Sequence, residues 1–508
     1  MNFQNSYLSL GSSFYQQTLP IPVAAPHLLL WNASLASLLQ LEDSVIDEHQ
    51  KAQIFSGNQV EESSTPIALA YSGHQFGHFN PQLGDGRAHL LGELIDQNSQ
   101  RVDVQLKGSG PTRFSRQGDG RCALKPALRE FIMSEAMHAL NVPTSRCLAV
   151  VATGETVYRE TPQPGAIVTR VASSHLRVGT FQHFASRKDF DALEALLDFA
   201  IERHYPDIAT LQTDRAGKAS AFIEAVGERQ ITLICHWLRV GFIHGVMNTD
   251  NTAISGETID FGPCAMMGDY HPGTVYSSID SQGRYAFGNQ INIAIWNMAR
   301  LAESLLPFLD DEQQTAIAKA ESVIKQLVAD ITLAYKSMLG NKLGFDFKDD
   351  NDWLLIETLL NQMQAQELDY TLTFAELTQF IETGEISSQL ATSLKAWLPT
   401  WLQRLGIEET TTDSDISALI KKHKPLTDAL ANMQNANPLV IPRNHHVERI
   451  LALYQEAMLT GEKQEEAADE LSQFLQVLRS PYAITEHTTK YQDAAQDKDQ
   501  GYRTFCGT

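Results

Sequence analysis

The chain's 508 residues exceed the roughly 250–300 at which one hydrophobic core stops growing, so two or three packed regions are expected. With 43% hydrophobic and 20% charged residues it has the make-up of an ordinary globular protein, and no apolar run reaches the ~18 residues of a membrane-spanning helix. A formal charge of −22, spread along the chain, argues against nucleic-acid and anionic-membrane surfaces, so any polyphosphate ligand must find a local cluster of Arg and Lys.

Residues 1–65 form a lead segment, with one short helix expected in SLASLLQLEDSVID, and are expected to pack on the parts that follow. From 66 to 185 the chain is rich in glycine and in alternating strands. RVDVQLKG sets Val102, Val104 and Leu106 on one face and Asp103, Gln105 and Lys107 on the other. AVVATGETVYRE reads as a hairpin and GAIVTRVASS as a further strand. One amphipathic helix interrupts them, ALREFIMSEAMHALN, with Leu128, Phe131, Ile132, Ala136 and Leu140 at helical spacing. From 186 to 480 the signal is helical: ITLICHWLRVGFIHG, INIAIWNMARLAESLLPFL, TAIAKAESVIKQLVADITLAYKSML, WLLIETLLNQMQAQ and HHVERILALYQEAML follow in turn. Residues 481–508 are a polar tail, expected to wrap the surface or move freely. Five widely spaced cysteines with no CxxC suit a reducing compartment, and the N-terminus carries neither a signal nor a transit pattern, so a cytoplasmic protein is expected.

A strand-rich part with one helix, followed by a helical part, is the α+β pattern of a protein-kinase-like bilobal fold, and four features fall in the order that fold needs. LGDGR brings Gly84, Gly86 and Arg87 just before a strand, where backbone amides can approach phosphate, although His89 stands where kinases have a third glycine. Lys107 ends the VDVQLK strand. Glu130 follows on the helix, as a partner that would position that lysine, while Glu135 lies about 500° further around the helix and points elsewhere. Finally HGVMNTDN is followed by TIDFG. A kinase catalytic loop reads H-R-D-x-x-x-x-N, its Asp taking the hydroxyl proton and its Asn holding a metal. Here His244 and Asn251 keep that spacing and Asp260 opens D-F-G, but Val246 stands where the Asp belongs and Asn248 where a Lys commonly assists the γ-phosphate. Asn251 and Asp260 are oxygen donors suited to a hard divalent cation. Asp250 is the only carboxylate left in the loop.

Meanwhile IVTRVASSHLRVGTF supplies Arg170 and Arg177, where ordinary kinases need no such pair, and FSRQGDGR adds Asp119, Gly120 and Arg121 on a second glycine-containing loop. Extra guanidiniums imply that the terminal phosphates are gripped rather than transferred, which leaves the α-phosphate to face an acceptor.

The segments YSGHQFGHFNPQLGDGRAHLLGE, QLKGSGPTRFSRQGDGR, LREFIMSEAMHAL, RVASSHLRVGTF and HGVMNTDNTAISGETIDFGPCAM resemble the selenoprotein O family of pseudokinase-fold protein adenylyltransferases, from about residue 15 to the C-terminus. The chain resembles a bacterial-type member with Cys506 where others carry selenocysteine. The resemblance implies transfer of AMP from ATP, bound in flipped orientation, to Ser, Thr or Tyr hydroxyls of proteins, with diphosphate released. It implies that Gly84, Gly86, Arg87, Lys107, Asp119, Gly120, Arg170, Arg177 and Asp260 contact the nucleotide. Asp250 is then the proton acceptor, and Asn251 and Asp260 hold Mg²⁺ or Mn²⁺. Two rivals stay open: a phosphotransferase that moves the γ-phosphate, and a nucleotide-binding scaffold without catalysis. Target proteins, competition by UTP, any pairing of Cys506 with Cys264 and the oligomeric state are not legible; a monomer is the working expectation.

Overall fold

The sheet that organises the first third of the chain is antiparallel throughout and draws its strands from a long stretch of sequence. In spatial order they are Tyr15–Gln17, Ile67–Leu69, Ala88–Ile95, Arg101–Lys107, Pro162–Ala172, Arg146–Tyr158 and His27–Trp31, with Cys122–Ala123 paired beside Pro162–Ala172. The computed structural model describes residues 1–41, 46–211, 214–407 and 426–505. The lead segment therefore does more than pack on its neighbours, since it supplies two strands of the sheet. The helix expected at 34–47 is limited to Ala33–Leu38, the helix Glu48–Phe55 was not foreseen, and residues 42–45 lie outside the described part.

Both faces of the sheet are buried, which is why its central strands read as near-continuous apolar runs. Val104, Leu106, Leu148, Val151 and Ile167 pack under Phe3, Leu35, Ile54 and Phe55 of the lead segment. On the opposite face Leu90, Val150 and Val168 meet Leu128, Phe131 and Ile132 of the helix Leu124–Ala139. The expected split of the RVDVQLK strand holds, but its polar face is buried against ionic partners rather than wet: Asp103 meets Arg203 and His175, Gln105 meets Asp85, and Lys107 meets Glu130.

AVVATGETVYRE is not a hairpin. Arg146–Tyr158 is one strand, and Gly154, at φ +72°, marks an irregularity where Ala152 faces Ala166 while Thr156 faces Pro164. A glycine with positive φ serves a bulge as readily as a turn, so local sequence did not separate them.

One loop of the helical remainder carries both motifs to the sheet. Helix Arg215–Val240 starts on Asp214, whose carboxylate accepts from the Gly217 amide at 2.6 Å, and ends on Gly241 in the left-handed conformation. It hands the chain to Phe242–Ile243, which pairs antiparallel with Ala265–Met266, so both motifs hang in the loop between these two short strands. TAISGETI turns as expected, but its two arms do not pair with each other: Ala253 bridges to Arg177 and Thr258 to Thr144, tying the loop to the strand-rich part. The tail is docked. Tyr491 is fully buried with its hydroxyl 2.8 Å from Glu470 Oε1, and the Thr504 amide donates to the Tyr276 carbonyl at 2.8 Å. Cys506 lies outside the described residues. No described helix is long and apolar enough to cross a membrane.

Candidate active site

A cavity of about 570 Å³ opens where the sheet, the 112–121 loop and the 244–264 loop meet. Every residue expected to contact the nucleotide, hold the metal or take the proton lines it: Gly84, Gly86, Arg87, Lys107, Asp119, Gly120, Arg170, Arg177, Asp250, Asn251 and Asp260. Glu130 sits directly behind the wall.

Glu130 organises the inner end. Its side chain is buried; Oε2 accepts from Lys107 Nζ at 2.6 Å, and Oε1 accepts from Arg170 Nε and Nη2 at 2.8 and 2.5 Å. Lys107 also donates to Asp260 Oδ1 at 2.9 Å. Burial works to protonate Glu130, but Arg170 and Lys107 outweigh it and hold the carboxyl below its ordinary range. Burial acts against Asp260 too, and Lys107, Arg170 and Arg87 reverse it, leaving Asp260 firmly ionised. Asp260 adopts φ +65°, a left-handed conformation that costs a non-glycine residue energy and persists only where surrounding contacts enforce it. Glu135, as expected, faces away and binds Arg146 at 2.6 and 2.9 Å.

The two glycine loops close on each other. Thr112 Oγ1 donates to the Asp85 carbonyl at 2.7 Å, and the Ser115 hydroxyl donates to the Gly86 carbonyl. Gly84 has φ +123°, and a Cβ there would fall 2.4 Å from the Phe114 ring; at Gly120, φ +68°, it would fall 2.2 Å from the Gly110 carbonyl carbon. Neither position admits a side chain. Asp119 is held in a fork by Arg159, at 2.8 and 3.1 Å, and accepts from the Arg121 amide at 2.9 Å. Arg177 lies over the Tyr71 ring at 4.2 Å, with Nη2 3.4 Å from Asp85 Oδ1. Asp85 in turn accepts from Gln105 Nε2 at 3.1 Å and the Leu69 amide at 3.2 Å.

The catalytic-loop motif is built as an anchored turn. His244 is buried, its Nε2 2.9 Å from the Ile259 carbonyl, which ties the start of the loop to the residue before Asp260. Asn248 Oδ1 accepts from the Tyr285 hydroxyl at 2.6 Å and the Phe76 amide at 3.0 Å, a positioning task a lysine could not perform. Asn251 Nδ2 donates to the carbonyl of Val246 at 3.1 Å, so its amide oxygen is the end left for another partner. Asp250 differs from the other lining carboxylates. Asp85, Asp119 and Asp260 each face a cation within salt-bridge distance, whereas Asp250 has none among the described residues. Its Oδ2 accepts from Gln75 Nε2 at 3.1 Å and its buried Oδ1 has no hydrogen-bond partner. Burial pushes its carboxyl up to about 6.

Among the described residues no group of three His, Cys, Asp or Glu side chains is arranged to hold a metal unaided. The amide oxygen of Asn251 and the ionised Asp260 nevertheless fit a hard divalent cation that takes its remaining oxygens from phosphate and water. Sequence reading missed Tyr71, Gln75, Asp85 and Arg159. Asp85 lay between the two glycines of LGDGR, and Tyr71 and Gln75 lay in the YSGHQFG start of the quoted segment that runs into it, so each could have been flagged; Arg159 carried no such signal. Cys264 is buried, donates to the Phe261 carbonyl and has its thiol pushed up to about 12 by burial.

A family model described as protein adenylyltransferase SelO matches residues 1–479. A protein nucleotidyltransferase YdiU of Teredinibacter turnerae is 48% identical over 509 aligned residues covering 100% of both chains. That of Pseudoalteromonas translucida is 49% identical over 508 residues, again covering 100% of both, and one from Bradyrhizobium is 47% identical over 511 residues, covering 100% of this chain and 99% of the other.

Proposed function

The chain belongs to the protein adenylyltransferase SelO family, and from that membership and the cavity we infer that it transfers AMP from ATP to hydroxyl groups of proteins. One observation carries the mechanism: among the described residues Asp250 is the lining carboxylate with no cation within salt-bridge distance, and burial brings it into the range where a general base works near neutral pH.

In this reading the β- and γ-phosphates lie among Lys107, Arg170 and Arg177, and the glycine loops with Arg87, Asp119 and Gly120 hold the rest of the nucleotide. A Ser, Thr or Tyr hydroxyl oxygen then bonds to the α-phosphorus, its proton passes to Asp250, and the bond to the β-phosphate oxygen breaks to release diphosphate. Asn251 and Asp260 would hold Mg²⁺ or Mn²⁺, which when bound supplies positive charge to the phosphate oxygens. Lys107 and Arg170, locked on Glu130 before any nucleotide arrives, need no reorganisation to stabilise charge on the leaving group. We read the sheet with its single helix as the small lobe of a kinase-like fold (66–185, with 1–65 added to it) and 186–480 as the large lobe. The Lys107–Glu130 pair and the His244-to-Asp260 loop support that reading. We place the reaction in the cytoplasm, in keeping with buried, unpaired thiols at Cys122, Cys147, Cys235 and Cys264.

The deciding experiment supplies ATP labelled at the α- or the γ-phosphate with Mg²⁺ or Mn²⁺ and asks which label stays on protein. Retained α-label is expected. Retained γ-label means a kinase, and a bound ATP analogue with its terminal phosphate toward Asp250 would contradict the flipped orientation.

A further inference from the structure

The strands Gly73–Gln75 and His78–Asn80 form a separate two-stranded hairpin, apart from the main sheet, that lies on the catalytic loop. Three successive hairpin residues each bond a residue of the Asn248–Asp250 segment. The His74 amide donates to Thr249 Oγ1 at 2.7 Å, and the Phe76 amide donates to Asn248 Oδ1 at 3.0 Å and to the Tyr285 hydroxyl at 3.2 Å. Gln182 fastens both sides, its Nε2 2.8 Å from His74 Nδ1 and its Oε1 accepting from Thr249 Oγ1 at 2.6 Å. Between these anchors Gln75 delivers its amide to Asp250 Oδ2 at 3.1 Å, the one side-chain hydrogen bond that Asp250 makes among the described residues. On the other side Gly73 backs the second oxygen so closely that a Cβ at that position would stand 2.9 Å from Oδ1.

A carboxylate held by one donor and one backbone wall has its plane fixed. We propose that Gln75 is a positioning residue for AMP transfer: its amide N–H and the Gly73 backbone together set the orientation of the Asp250 carboxylate toward the acceptor hydroxyl, and the hairpin exists to carry that amide. The anchors explain how the hairpin can do this: backbone hydrogen bonds to Thr249 and Asn248 place it against the same few residues it serves, so movement of the loop carries the donor along.

The inference rests on the proposed function, and the two fail separately. Gln75→Met and Gln75→Glu keep the length of the side chain and remove the N–H donor; Gln75→Asn keeps the amide but withdraws it. With wild-type protein fixing α-label as a reference, kcat for protein labelling is expected to fall about 10- to 100-fold in Met and Glu variants, the size of effect expected from a misplaced catalytic group. ATP affinity of the Met variant, measured by direct titration, is expected to fall much less than kcat, because the Gln75 amide is engaged by Asp250 rather than by the Lys107, Arg170 and Arg177 cluster that would hold the phosphates. Asn is expected to fall with them. Labelling by the Met variant at the wild-type rate overturns the proposal, and so does a loss of ATP affinity parallel to the loss of rate, which would make the hairpin a general support of the cavity. Wild-type protein that fixes no α-label refutes the proposed function instead.

Discussion

Replacing Glu130 by glutamine tests the inner end of the cavity with little change of shape. The carboxylate is buried, 2.6 Å from Lys107 Nζ, and accepts twice from Arg170. At an effective dielectric of about 20, unit charges 2.6 Å apart attract by about 6 kcal/mol, much of it offset by desolvation of both partners. Glutamine can still accept from Arg170 through its oxygen, but it turns an N–H toward Lys107. Two buried cations are then left with Asp260 as their remaining anion, through the 2.9 Å contact to Lys107. Removing one partner of a buried pair costs about 3–5 kcal/mol, because the other charge stays desolvated and unmatched. The unfolding free energy from urea titration, followed by tryptophan fluorescence, should drop by that amount. ATP affinity should fall with it as Lys107 loses its fixed place. A variant whose stability lies within about 0.5 kcal/mol of wild type and whose ATP affinity is unchanged would show that Glu130 does not hold these cations.

Gly120→Ala should weaken ATP binding about tenfold or more in a calorimetric titration, since the left-handed backbone alone costs about 1–2 kcal/mol and the new Cβ meets the Gly110 carbonyl carbon at 2.2 Å. Arg159→Ala should also lower ATP affinity by freeing Asp119, yet shift stability by no more than about 1 kcal/mol because the pair is partly exposed to solvent; lost stability with intact affinity would reverse that reading. Acid should release the tail. Burial raises Glu470, but the hydrogen bonds from Lys490, Arg449 and Tyr491 prevail and bring its carboxyl from 4.5 down to about 2. A depressed carboxyl stabilises fully above its ordinary value and loses that contribution as the pH falls toward the folded one. Hydrogen-exchange protection of Thr488–Gln492 should therefore fade between pH 4.5 and 2, and constant protection across that window would exclude the anchor.

Some of this was legible in the residues themselves. The spacing of His244, Asn251 and Asp260, the lysine ending an alternating strand and the glutamate on the next helix are local patterns, and each sits on the element expected for it. Where local pattern was ambiguous the reading slipped. Gly154 serves a bulge rather than a hairpin turn, and the arms of TAISGETI found partners at Arg177 and Thr144 instead of each other. The short helices of the lead segment pack on the sheet because its second face is apolar and needs a cover, a demand made by residues about a hundred positions downstream.

The sequence by itself determined which groups could do the chemistry: the cations, the oxygen donors and a loop whose usual base is replaced by Val246. Only the tertiary structure decided which of the carboxylates is free to act. Asp85, Asp119 and Asp260 are claimed by Arg177, Arg159 and Lys107, whereas among the described residues Asp250 makes its one side-chain hydrogen bond to a neutral amide and no ion pair. Ionic partnership and burial are properties of side chains brought together from distant positions, through interactions that fall off within a few ångströms, so no spacing along the chain encodes them.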